Sequence, residues 1–319
     1  MLSRVADSLY WMSRYLERAE HTARAVDEHL NLMLDRSEFS PERRWMLVLR
    51  ALDVPVEPGA AIDANRIVPM LTSEYTNRSS IVSCIMSARE NAQQVREQIS
   101  SEMWEQLNRL FLELRRGGAD ALQAHPHEFF ASVKEGVHLF QGITDSTMNH
   151  GEGWQFIQAG RYIERAGAIA LLTGVHFSEF PCEPCRLPEG SEYLEWIGLL
   201  KCATAFEAYC KVYTADPRPD RIAEFLLLNG EFPHSLRFSV DMLHAALQAI
   251  SLSVATRKTE RLSRLTGRLR ATLNFSHIDE IAGPALHQYL DAIRKQAHQI
   301  HSAIYQVYVG YTVESALEA

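Results

Sequence analysis

Cysteine is scarce in this 319-residue chain. Its five cysteines are too few for the disulfide framework of a small secreted domain, so a reducing, cytoplasmic setting is the expectation. No uninterrupted apolar run is long enough to span a bilayer. The first residues, MLSRVADSLYWM, lack both a clean apolar stretch and a small-residue cleavage site, and they read as the start of a helix. Basic charge is also in deficit: 32 Lys and Arg stand against 40 Asp and Glu, a formal net charge of −8. That speaks against nucleic acid as a partner and against a polybasic membrane patch. No glycine-rich loop joins a strand to a helix, so phosphate-loop and dinucleotide folds lack support, and no cofactor is indicated. No nucleophile elbow is present, and no alternating pattern of strands can be found.

What the chain does have is helical periodicity. With 46% hydrophobic and 23% charged residues it can fill a sizeable core. Leu2, Val5, Leu9, Met12, Leu16, Ala19, Ala23, Val26 and Leu30 follow one another in steps of three and four, a single helix face. The same spacing runs from Ile81 to Ile99 and from Leu286 to Tyr311. Three long seams predict an all-α, multi-helix bundle of near-(anti)parallel helices. Helices are expected near 2–35, 41–52, 62–71, 79–99, 101–116, 126–149, 152–176, 191–214, 218–228, 233–252, 257–273 and 284–316. Ser40-Pro41, Asp216-Pro217 and Gly283-Pro284 have the look of a cap followed by proline in the first turn, and His125-Pro126 opens a further segment. Residues 53–59 read as a loop. The whole chain, 1–319, is expected to form one all-α domain, with sub-bundles 1–180 and 191–319 joined by the proline-rich stretch 180–190.

One block occurs twice. Arg14-Tyr15-Leu16-Glu17-Arg18-Ala19 returns as Arg161-Tyr162-Ile163-Glu164-Arg165-Ala166, 147 positions on. The apolar seam follows the same offset, and His29 falls on His176. A structural pseudo-repeat is therefore expected, with two related helices in related places. Arg14, Glu17 and Arg18 are surface neighbours at i, i+3 and i+4. On a helical wheel Glu17, Glu20, Arg24 and Asp27 flank the seam, whereas Arg14 and Arg18 point further round. For the two arginines a solvated intrahelical pair worth about 0.2–0.5 kcal/mol stays open beside a binding role. Glu17 and Glu164, at the rim of the interior, need a buried arginine, for which Arg89 and Arg96 are candidates. Opposite Ser13, Glu20 and Asp27 the second copy carries Gly160, Gly167 and Gly174. Glycine inside a helix costs about 1 kcal/mol relative to alanine, so three on one face point to a close backbone or a ligand. Any shared site is expected to be lopsided.

Four segments, MLSRVADSLYWMSRYLERAEHTAR, SARENAQQVREQISSEMWEQLN, GWQFIQAGRYIERA and FLLLNGEFPHSLRF, together resemble the alpha-E family of bacterial helical proteins, named for a Glu-Arg motif. His21 stands where that pattern carries asparagine, and Arg89-Glu90-Asn91 fits it. The resemblance implies a context of ATP-grasp proteins and transglutaminase-like peptidases. On that basis the chain would be a partner or substrate-presenting subunit of an ATP-grasp amidoligase that handles a peptide. The binding residues it suggests are Arg14, Glu17, Arg18, Glu20, Arg89, Glu90, Asn91, Glu164 and Arg165. The competing reading is a helical-bundle enzyme with its own carboxylate and arginine site between the two Glu-Arg helices.

Other patterns are weaker. Glu135-Gly-Val-His138 has the spacing of a bundle metal motif, and Asp241-Met-Leu-His244 is a poor second copy, so no metal is expected. His287, Arg294, His298, His301 and Tyr305 read as the solvated face of the last helix. Cys182 and Cys185 form a lone CxxC, best read as a surface thiol pair. Cys84, Cys202 and Cys210 suit small core positions.

Overall fold

A computed structural model describes residues 1–34, 39–56, 59, 62–180, 190–252, 257–281, 283 and 285–309. It is all-helical, with no strand among these residues. In chain order the helices are α1 (Ser3–Leu32), α2 (Pro41–Ala51), α3 (Ala64–Thr72), α4 (Ile81–Gln94), α5 (Ser101–Ala124), α6 (Pro126–Thr147) and α7 (Glu152–Glu179). Then come α8 (Ser191–Cys202), α9 (Phe206–Tyr213), α10 (Pro219–Leu228), α11 (Leu236–Ser251), α12 (Arg257–Phe275), α13 (Ile278–Ile281) and α14 (Ala285–Ile304), which runs into a π-helical turn, Tyr305–Val309. No described helix is long and apolar enough to cross a membrane.

Local chemistry sets many of the boundaries. The Ser40, Ser80, Ser100 and Ser235 side chains each accept from a backbone N–H three residues on, which caps α2, α4, α5 and α11. Pro41 and Pro126 open their helices as expected. Asp216-Pro217 does not: α10 begins at Pro219, with Arg218 as its N-cap. The span 191–214 is broken between α8 and α9 at Thr204, whose φ is +54°. α5 continues through Gly117-Gly118 to Ala124, and α4 stops at Gln94, although Val95 and Ile99 remain buried. Residues 181–189, with Cys182 and Cys185, lie outside the described residues, as do Pro284 and everything after 309.

The core is organised around α1 and α7. Met1, Leu9, Ser13 and Glu17 face Glu152, Gly153, Gly160 and Arg165 in that order, so the two helices run in the same direction. Equivalent positions of the repeat thus stand opposite each other, as a pseudo-twofold axis along the pair requires. At Ser13 and Gly160 the helices touch. A Cβ on Gly160 would collide with the Tyr10 carbonyl oxygen and Ser13 Oγ. α4, α6 and α8 also pack on α1, while α2, α11 and α14 pack on α7. α1 is therefore buried around most of its circumference, not along one stripe.

Candidate functional site

The two Glu-Arg dipeptides pair across the helices, each glutamate with the other copy's arginine. Glu17 takes Arg165 in a two-pronged contact, Nε to Oε1 at 2.5 Å and Nη2 to Oε2 at 2.9 Å. Glu164 is shared: Arg18 Nε reaches Oε1 and Arg14 Nε reaches Oε2, both at 2.7 Å. Arg89 and Arg96 are not the partners expected for the glutamates. They stack over Trp104 on the outer side of α4 and α5, Arg89 also donating to Asn108 Oδ1 at 2.7 Å. Asn91 donates back to the Ser87 carbonyl at 2.8 Å, and Glu90 is exposed. Of the nine expected residues these three stand apart from the ion pairs.

The surroundings of the two pairs differ. Glu17 and Arg165 keep only 3% and 7% of their side-chain surface. Arg165 Nη1 also donates to the Pro233 carbonyl at 3.1 Å, and Gln141 Nε2 lies 3.4 Å from Glu17 Oε2. Beside them Glu20 and Arg24 form an ion pair within α1, with His138 Nε2 at 3.6 Å from Glu20 Oε1. Burial pushes the Glu20 carboxyl up, but His138 and the Arg24 charge outweigh it and hold it well below the usual value. Further along, Asp27 joins His127 and Lys134 of α6 at 2.6 Å each. Glu135 is exposed and His138 faces Glu20, Asp241 pairs with Arg270, and His244 bonds Thr266. Among the described residues no group of three ligands could hold a metal ion.

The Glu164 side opens into a cleft of about 780 Å³, walled by α1, α7, α14 and the end of α2. Arg14 and Arg18 line it, so neither is merely surface. Arg18 keeps 28% of its side-chain exposure. Burial raises the Glu164 carboxyl, yet the two guanidinium charges prevail and its pKa falls below the ordinary value. Burial also lowers Arg18, and the facing Glu164 charge more than restores it. Gly167 and Leu171 occupy the positions aligned with Glu20 and Arg24. A Cβ at Gly167 would meet nothing within 4 Å. Hence the lopsidedness: an acid and an arginine fill one side, whereas a glycine and a leucine leave the other open. A Cβ at Gly174, by contrast, would make ordinary contact with Leu290.

α14 supplies what sequence reasoning missed. His301 is not on a solvated face. Its Nδ1 lies 2.9 Å from Tyr10 Oη and 3.0 Å from Arg14 Nη1, which donates to the ring. Burial, helped by the Arg14 charge, brings its pKa down to about 4, so the ring is neutral at pH 7. Arg294, Lys295 and His298 line the same cleft. Arg294 is 3.3 Å from Asp53 and Lys295 3.9 Å from Asp291. Four fixed cations (Arg14, Arg18, Arg294, Lys295) therefore face three carboxylates (Glu164, Asp53, Asp291), one positive charge in excess before any histidine is protonated. In the sequence this site shows as Arg14, Arg18 and Glu164 of the repeated block and as the exchange of Glu20 for Gly167 between the copies, while the share of α14 carries no such signal.

A family model described as a predicted alpha-helical domain with a conserved ER motif matches residues 1–309. The chain belongs to the alpha-E family. Both copies of its repeated block carry the Glu-Arg dipeptide, and each glutamate is neutralised across the α1/α7 pair by the other copy. Uncharacterized protein Rv2567 of Mycobacterium tuberculosis is 23% identical over 302 residues, which cover 87% of this chain and 33% of that protein. Uncharacterized protein Mb2597 of Mycobacterium bovis is 22% identical over the same shares. The alpha-E chain thus spans about a third of the length of the curated relatives it matches. No solved structure matches it.

Proposed function

We propose that this alpha-E protein is a ligand-presenting subunit whose cleft holds an anionic ligand, a peptide, for an ATP-grasp amidoligase. The observation that carries the reading is the sharing of one carboxylate, Glu164, by two guanidinium groups in an open cleft. A paired arginine usually balances its partner; here the excess positive charge faces incoming ligand. Two of the groups that could move protons are already committed. Glu164 is held ionised, and His301 is neutral with its Nδ1 engaged. Binding suits this arrangement better than proton transfer. The amidoligase, and a transglutaminase-like peptidase as a further partner, come from the family resemblance. The longer relatives, in which the matched region is joined to about two thirds more of the protein, support a unit that works beside another module.

A second reading is an enzyme acting in the same cleft. It draws on the convergence there of residues from both blocks, Arg14 and Arg18 with Glu164. One experiment addresses both readings: co-purification with the ATP-grasp protein, then ATP turnover with and without this chain. The subunit reading expects a stable complex and a changed turnover rate. Absence of both removes it, and amide turnover by the isolated chain establishes the second.

A further inference from the structure

The covered ion pair shows what the open one lacks. Arg165 holds Glu17 with Nε and Nη2, and its remaining nitrogen, Nη1, donates to the carbonyl of Pro233 at 3.1 Å. Pro233 belongs to the connection between α10 and α11, which lays its backbone across that pair. Arg18 is the aligned arginine. It gives Nε to Glu164, and among the described residues neither of its terminal nitrogens has an acceptor. Gly167 leaves free the volume that Glu20 takes on the other side.

We infer that the cleft takes an extended peptide bearing a free carboxylate, laid over the Arg18–Glu164 pair as the α10–α11 connection lies over Arg165–Glu17. Arg18 donates a terminal N–H to a peptide carbonyl, repeating the bond from Arg165 to Pro233. The carboxylate faces Arg294 and Lys295, whose present partners are held loosely: Asp53 is 77% exposed and 3.3 Å away, and Asp291 is 3.9 Å away. Such exposed pairs contribute little and yield readily to a better-placed anion. The inference rests on the ligand-presenting reading, and it adds the ligand's chemistry and its pose.

Fluorescence anisotropy of labelled tetraglutamate with the full chain tests it. The wild-type chain is expected to bind. Gly167→Leu puts a side chain into the open volume and is expected to abolish binding without loss of thermal stability. Arg18→Gln is expected to weaken binding about tenfold or more, since it removes a charged hydrogen-bond donor. Amidated tetraglutamate separates the two sources of carboxylate: weakened binding assigns the anchor to the chain terminus, unchanged binding to a side chain, and either supports the inference. No binding by the wild-type chain, binding unaltered by Gly167→Leu, or displacement by inorganic phosphate at the peptide's own concentration overturns it. Co-purification with the ATP-grasp protein is scored on the same samples. A complex without peptide binding sinks this inference alone, and peptide binding with neither a complex nor a changed turnover sinks the subunit reading alone.

Discussion

On one side of the α1/α7 pair, Glu17 and Arg165 meet with 3% and 7% exposure under a backbone carbonyl. On the other, Glu164 is reached by Arg14 and by an Arg18 that is 28% exposed at the floor of a cleft. The dipeptide is the same, and its helical positions are related by one offset. What separates the two sides is the neighbouring turn: Glu20 and Arg24 in one copy, Gly167 and Leu171 in the other. The repeat thus supplies two related ion pairs, one closed between the helices and one facing the cleft, and Arg161, the counterpart of Arg14, turns to Gln158 and Asp145 and leaves Glu17 to Arg165 alone.

The largest effect expected from this contrast is on stability. Arg165→Met strands the Glu17 carboxylate in the interior and is expected to remove about 3–5 kcal/mol of unfolding free energy. Arg18→Met leaves Glu164 still paired with Arg14, so its loss should be about 1 kcal/mol. Urea titration of both variants measures the difference, and equal losses would erase the distinction between the pairs.

Acid should reveal where the copies behave alike. His29 and His176, also related by the offset, are buried against Trp45 and Trp196 at 4.2 and 4.7 Å. Burial, joined at His29 by the Arg44 charge, brings both down to about 3. Below the unfolded value near 6.5 the unfolded chain takes up protons that the folded chain refuses. Stability is therefore full above pH 6.5 and falls by about 1.4 kcal/mol per pH unit for each histidine as pH drops toward 3. Between pH 6.5 and 5.0 that amounts to about 2 kcal/mol for each. His176→Phe should take about 1.4 kcal/mol per pH unit out of the slope over this window, the remainder staying with the other buried histidines, and an unchanged slope would refute the assignment.

The glycines are expected to give modest effects of opposite sign. Gly167→Ala gains about 1 kcal/mol, because the helix loses a flexible residue and the new methyl meets only open space. Gly160→Ala loses about 2 kcal/mol by forcing the α1 and α7 backbones apart. Thermal melts of the two variants should shift in opposite directions.

The helices were legible because each long seam repeats every three or four residues, and serine and proline mark many of the starts. The break at Thr204 was not, since no glycine or proline announces it. Glu17 and Glu164 were correctly placed at the rim of the interior, but their partners were misassigned. A wheel treats a helix as having one buried stripe, yet α1 is packed by α7 on one flank, by α4, α6 and α8 elsewhere, and carries the cleft under α14. Arg14 and Arg18 look polar and outward on the wheel because the element that covers them is almost 300 residues away; His301 is 287 positions beyond Arg14. Such a contact leaves no local trace.

The parallel course of α1 and α7 sets a timetable for synthesis. Arg18 and Glu17 leave the ribosome 146 and 148 residues before the groups that neutralise them, and Pro233 follows Arg165 by another 68. At about 5–20 residues per second, α1 waits on the order of ten seconds with its Glu-Arg charges unmatched. α1 is therefore locked in place late, its ion pairs closing only when α7 arrives. The nascent protein therefore passes through a stage in which charged groups of its future core stand without their partners.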